Sequence, residues 1–325
     1  RRRGGPARPG GKAAVGRYLI RRLLYAIVVL FGVTLLVFFT LRLTGDPVQL
    51  LMQAGNPSKE DIAALRRAMH LDQPLYLQYF SFVGHAVRGD FGQSLRYKTP
   101  AFGEVMSRMP ATLELAVAGY LFALLIAVPT GILSAVHRGG FVDFLSRLAS
   151  LIGVSFPGFW LGLMLILLFG VRLRWLPVSG RGEGLGDNLK TLIMPAVTLG
   201  VGYAATLSRL LRSSMLDVLH ADYIRTARAK GLRDGTVLVR HALRNALIPV
   251  VTLAGLQIGF LLGGAVIVEV VFSWPGVGQL TVDAINNRDY PIVQTAVTML
   301  AIVLILANLL VDLLYTVLDP RIHYS

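Results

Sequence analysis

Six stretches of this sequence are each long and apolar enough to cross a lipid bilayer as a helix: about 18–41, 111–135, 148–171, 191–211, 248–271 and 292–317. A hydrocarbon core takes roughly 20 apolar residues at the helical rise. Within it, only helices and closed barrels satisfy their own backbone hydrogen bonds. The chain is therefore expected to be an all-α integral membrane protein with six transmembrane helices. Composition agrees, because only 15% of the 325 residues are charged, against about 25% in soluble domains. No cysteine is present, which removes thiolate catalysis, disulfides and cysteine-ligated metals. His70, His85, His137, His220, His241 and His323 are scattered without a metal-ligand spacing, so no metal site is expected.

The first apolar run, Leu23 to Leu41, follows Arg17, Arg21 and Arg22. It is longer than a signal-peptide core and no small-residue cleavage site follows it, so it reads as a retained span. Basic residues set the orientation. Eight Lys/Arg lie in the N-terminal stretch to Arg22 and eight between Arg209 and Arg244, whereas only Arg288 lies between spans five and six. Both termini and the 209–244 segment are thus expected in the cytoplasm. The net charge of +14 then reflects cytoplasmic anchoring, and no nucleic-acid partner is expected. The organisation that follows has a basic tail of disordered composition at 1–16 and a first transmembrane helix at 17–41. An extracytoplasmic helical cap region spans 42–108. A core at 109–318 holds spans two to six and a cytoplasmic segment at 212–247, and 319–325 form a cytoplasmic C-terminus.

Within the cap region, Ser58 and Asp61 carry an N-cap signature ahead of Ile62, Leu65 and Met69 on one helical face. Pro74 can open a second short helix with Leu77, Phe80 and Val83 or Gly84 on its inner side. Pro129, Pro157, Pro195 and Pro249 fall in or beside spans and read as tolerated kinks, with a gating hinge as the rarer alternative. Gly255, Gly259 and Gly263 are spaced for close helix packing, within the chain or across a dimer seam. Few ionisable or strongly polar groups occur in the spans. Glu114 and Glu269 stand near span ends and Asn308 lies deep in span six. These three are candidates for polar contacts along a path through the membrane, with solvent-facing span ends as the plain alternative. Such scarcity argues against coupling by protons or ions, which calls for buried carboxylates or histidines.

The segment from Tyr223 to Val250 is basic and helix-patterned, with Arg225, Arg228, Lys230, Arg233, Arg240 and Arg244 against Asp234. Asp222 can cap a short helix from Tyr223 to Lys230, and Gly231 is a natural stop. Thr236 can cap a second helix from Val237. That helix would set Val239, Ala242, Leu243 and Ala246 on one face and Arg240, His241 and Arg244 on the other. The segment is either an amphipathic element on anionic headgroups or a docking element for a cytoplasmic partner.

The run RTARAKG followed by RHALRNALIPVVT resembles the cytoplasmic signature of ABC importer permeases, in the form of their peptide/nickel branch. Arg225, Thr226 and Ala227 stand at the Glu-Ala-Ala positions of the general signature and Gly231 at its glycine. Pro249 closes it later than in the general form. RYLIRRLL, LRLTGDPV, LDQPLYLQYF, GDFGQSL, FPGFWLGL, RWLPVSG, VEVVFSWPGVGQL, NRDYPIVQ and NLLVDLLYTVLDPRI resemble the first-permease type of that branch, covering nearly the whole chain from Arg17.

The resemblance implies a type I importer permease of a bacterial inner membrane, moving di- or oligopeptides. It implies pairing with a second, homologous permease as a heterodimer, two cytoplasmic ATPase subunits and an extracytoplasmic solute-binding protein. The ATPases would be coupled through Asp222, Tyr223, Arg225, Thr226, Ala227, Arg228, Lys230 and Gly231, with Arg240, His241 and Arg244 beside them. No cofactor is expected in this chain, since ATP and Mg belong to the partner subunits. The residues agree, because the only Gly-Lys, Gly11-Lys12, has Pro6 where a P-loop needs its first glycine. Rival readings are a permease of the same family for nickel, glutathione or another small solute, an ion-coupled secondary carrier, and an intramembrane enzyme. The last is disfavoured because Ser155 and Ser273 have no His or Asp at helical spacing.

Overall fold

A computed structural model describes residues 11–44, 60, 66 and 72–318, and among these only helices and connecting segments occur, apart from one isolated β-bridge. Helix α1 is Gly11–Thr44, α2 Leu75–Ala86, α3 Ala101–Val136, α4 Phe141–Ser155, α5 Gly158–Leu165 and α6 Leu185–Leu219. Then come α7 Asp222–Ala229, α8 Asp234–Val271, α9 Val277–Asn286 and α10 Tyr290–Leu318. Of the expected helix after Ser58 only Glu60 and Arg66 are described, both helical and exposed, and its apolar positions Ile62, Leu65 and Met69 lie outside the described residues, as do residues 1–10 and 319–325. Residues 11–16, read as tail, form the first turns of α1.

Among the described residues five helices have the length and apolarity of a span: Ile20–Leu43 within α1, then α3, α6, α8 and Tyr290–Val311 within α10. The sixth expected span, 148–171, is a helix pair instead. α4 ends at Ser155, and Gly158–Arg172 resumes at an angle of 104°, its second half wound as a π-helix from Ile166. Pro157 has no N–H to extend α4 and disfavours helical geometry at Phe156, which is extended at ψ 133°. At Pro129, Pro195 and Pro249 the helices continue unbroken.

The chain divides into two compact units, one of residues up to Phe102 and from Arg288 on, the other of Gly103–Asn287. In the first unit α10 packs along α1. α2 begins after Pro74, as expected, but its inner side is not Leu77 and Phe80, which are exposed. Tyr79 is buried instead. Its ring meets Phe31 and Phe38 edge-on, and its hydroxyl hydrogen-bonds Thr34 Oγ1 at 3.0 Å and the Phe31 carbonyl at 3.2 Å. An amphipathic ring with a partner for its polar tip outcompetes a leucine for this place. In the same unit Asp289 accepts from Ser94 Oγ at 2.5 Å and from the Arg96 N–H at 3.2 Å, fixing the 93–100 turn.

In the second unit α6 is central, packed by α4, α5 and α8. Its approach to α3 depends on glycine. A Cβ on Gly200 would stand 2.5 Å from the Gly119 carbonyl, and one on Gly131 would stand 2.9 Å from Leu211. By contrast Gly263 has nothing within 4 Å of a built Cβ, while Gly255 is buried and Gly259 half-buried.

Candidate coupling surface

α6 leaves its span carrying Leu207, Leu211 and Met215 on one face, all at 0% exposure. The chain turns at His220-Ala221 and forms α7. The N-cap is Ala221, without a side-chain cap, so Asp222 is not the cap expected of it but a first-turn acid, favourable there to the helix dipole. α7 ends as expected. Gly231 takes φ +78°, where a Cβ would be strained.

α7 has two faces. Ile224 and Ala227 are buried against Leu211, Met215, Val237, Ala242 and Ala246. Tyr223, Arg225, Thr226, Arg228 and Lys230 are exposed, as is Asp222. Spacing of three between the buried pair seats a single narrow stripe, which suits a helix lying across others.

The second helix starts at Asp234 behind Arg233, not at a Thr236 cap, and Val237–Leu243 is a π-helix. This corrects the expected apolar face at Val239, which is 62% exposed, while Ala242 and Ala246 are buried and Leu243 half-buried as that face requires. The buried positions are Val237, Ala242, Ala246, Val250 and Ala254. The first step is five residues, the i to i+5 period of a π turn, and the α-helical step of four follows. Arg240 and Arg244 are exposed and His241 half-buried. Asn245 Nδ2 donates to Tyr223 Oη at 3.0 Å and to the His241 carbonyl at 2.9 Å, linking α7 to α8. The ion pairs Arg225–Asp222, at 3.7 Å, and Arg228–Asp234, at 3.6 Å, are exposed. Such pairs contribute at most about 1 kcal/mol. The outer surface is a rigid cationic ledge on an apolar footing.

A buried ion pair that sequence reasoning missed braces α6 below this ledge. Asp143, 1% exposed in the first turn of α4, accepts from Arg212 Nε at 2.7 Å and Nη2 at 2.9 Å. Ser134 Oγ donates to it at 2.5 Å and the Gly139 N–H at 3.0 Å. An acid just after Gly139-Gly140 was the available signal, but its partner lies 69 residues away.

Of the path candidates, Glu114 is half-buried and accepts from Arg181 Nη2 at 2.7 Å and from Asn188. Glu269 is fully buried and accepts from the Gln279 N–H at 3.0 Å. A Cβ on Gly276 would overlap the Glu269 carboxyl, so the loop closes tightly over it. Glu114 and Glu269 belong to one unit but keep separate partners, and Asn308 is half-buried on α10 in the other unit.

Residues 127–324 match the family described as "Binding-protein-dependent transport system inner membrane component", and residues 15–116 match its N-terminal companion family. The chain is 45% identical over 310 residues to the "Glutathione transport system permease protein GsiC" of Escherichia coli (strain K12), covering 95% of this chain and 99% of that protein. The same figures hold for the protein of that name from Shigella dysenteriae serotype 1 (strain Sd197). Among solved structures, two inward-facing crystal forms of the MetNI methionine ABC transporter share the fold, at TM-scores of 0.54 and 0.55 with 20% and 19% identity. Each covers 66% of this chain and 96% of that one. The chain belongs to the family of inner-membrane components of binding-protein-dependent transport systems.

Proposed function

We propose that this ABC importer permease, itself no enzyme, carries short peptides across the inner membrane, coupled to ATP hydrolysis through α7. The observation that carries the coupling reading is the two-faced seating of α7. Ile224 and Ala227 fasten it to the ends of α6 and α8, while its cationic side is free for a partner. An element that only lay on headgroups would turn its apolar face to the lipid, whereas here that face is buried in protein. ATP and Mg reside in two ATPase subunits, a second homologous permease completes the pathway as a heterodimer, and a solute-binding protein delivers substrate from outside. When the ATPases close they displace α7, and the attached spans rock between inward- and outward-facing states.

The substrate reading draws on the similarity to permeases named for glutathione, itself a tripeptide. Coexpression with the neighbouring genes and purification in mild detergent is expected to bring down a P-loop ATPase and a second permease. The reconstituted complex should then import glutathione or trialanine with ATP. Uptake of nickel ions alone would move the substrate reading to the metal branch. ATP-independent uptake by the lone chain would revive the ion-coupled carrier and overturn the coupling.

A further inference from the structure

Near the middle of α6 and α8 a cavity of about 470 Å³ opens at the break between α4 and α5. This is within the roughly 300–1,000 Å³ of small-solute sites. Among the described residues no acidic or basic side chain lines it. The polar groups in its wall are Thr198, Tyr203 and Thr206 of α6 and Gln257 of α8. The Tyr203 hydroxyl lies against α8, 3.6 Å from where a Cβ on Gly264 would stand. The side-chain carbonyl oxygen of Gln257 is buried without a hydrogen-bond partner among the described residues. A buried acceptor left unpaired is costly, which marks it as one that waits for a donor.

The break adds backbone groups to the same wall. The helical donor for the Gly153 carbonyl would be the N–H that Pro157 lacks. That carbonyl lies 4.0 Å from where a Cβ on Gly202 would stand, facing α6. The first N–H groups of α5 are likewise without helical acceptors. Discontinuous helices near the midplane present such groups to solutes in other transport folds. An uncharged wall with both donors and acceptors matches amides better than carboxylates or ammonium groups, which would need countercharges in this setting.

We propose that this cavity is a transit site in which Gln257, assisted by Tyr203, hydrogen-bonds the uncharged backbone amides of a peptide-like solute. The inference rests on the peptide reading above and goes beyond it by assigning where and how the permease itself recognises the solute.

The test uses the complete transporter in proteoliposomes with saturating binding protein. The probes are trialanine and its two single-ester analogues, each lacking one of the two amide N–H groups that Gln257 could accept. Wild type should prefer the amide, and Gln257→Met should lose about tenfold in trialanine uptake kcat, roughly one hydrogen bond in worth. The variant should also lose most of the amide preference, while binding-protein affinity holds. Tyr203→Phe should show the same trend, more weakly.

The native chain is free of cysteine, so Gln257→Cys offers a second reading that survives a poorly assembled Gln257→Met. It should react with a charged, membrane-impermeant thiosulfonate reagent and lose uptake, whereas Leu125→Cys, exposed on α3 away from the cavity, should do neither. Unchanged amide preference in Gln257→Met, or an unreactive Gln257→Cys, would overturn the site. If wild type shows no ATP-driven uptake of any probe, the peptide reading fails instead, and the labelling still decides whether the cavity admits polar solutes.

Discussion

Ile224 is the single side chain on which the attachment of α7 most depends. It is fully buried among α6 and α8 residues. Ile224→Ala removes apolar contact worth about 2–5 kcal/mol in a packed site, a large share of what can hold an eight-residue helix in place. Ile224→Asp adds a buried charge. In membrane vesicles, ATP-driven uptake should fall at least about tenfold in both, with normal amounts of chain in the membrane. Retained uptake in Ile224→Asp would mean that α7 is not the lever. Asp143 makes a different kind of prediction. Removing it strands the Arg212 guanidinium, 23% exposed, at a cost of about 3 kcal/mol. Asp143→Ala should therefore lower the melting temperature in detergent, and the double variant Asp143→Ala/Arg212→Leu should recover part of the loss. Equal loss in single and double variants would deny the pair its bracing role.

Helices and turns were legible in the sequence to unequal degrees, for physical reasons. Long apolar runs give spans because the bilayer leaves no other backbone solution. The short basic helix was legible by its stop, because Gly231 permits a left-handed backbone, but not by its cap, because Asp222 stands in the first turn behind Ala221. The π turn at Val237–Leu243 was not, since a single shifted hydrogen-bond step leaves no residue signature, and so Val239 was assigned to the wrong face. The elbow at Pro157 was hidden among prolines that the other spans carry without breaking. The Gly119–Gly200 approach joins glycines on two helices and shows no spacing within either one. For the element itself, Gly231→Pro and the paired reversal Arg225→Glu/Arg228→Glu should each abolish uptake in vesicles while insertion is preserved. The first changes the exit of α7, the second only its exposed charge. Normal uptake in the charge-reversed protein would leave the ledge without a partner.

Taken whole, the chain is a membrane-embedded scaffold with sparse charge inside its spans and a basic ledge on one side. We propose, from the basic residues of the short segments, that the ledge faces the cytoplasm and, from the reading of 42–108 as extracytoplasmic, that the 93–100 turn faces outside. Single cysteines at Lys98 and Lys230 in the cysteine-free chain check it. In right-side-out vesicles an impermeant thiol reagent should label Lys98→Cys, and in inverted vesicles Lys230→Cys. The reverse pattern would invert the whole assignment, coupling surface included.

The fit of the 276–279 loop over Glu269 also bears on how this protein can change over generations. A side chain at Gly276 would occupy the space of the carboxyl, and one at Gly278 would meet its Oε2 at 2.8 Å. A Cβ at Gly276 would displace the carboxyl, one at Gly278 would also meet the Val266 Cα at 2.7 Å, and a shorter residue at 269 strips the Gln279 N–H of its acceptor. Changes at 276 and 269 are therefore coupled, whereas Gly278 is held by the Val266 backbone whatever stands at 269. Gly276→Ala should lower the melting temperature in detergent, and its added loss should be smaller in a Glu269→Ala background, where no carboxyl fills the space.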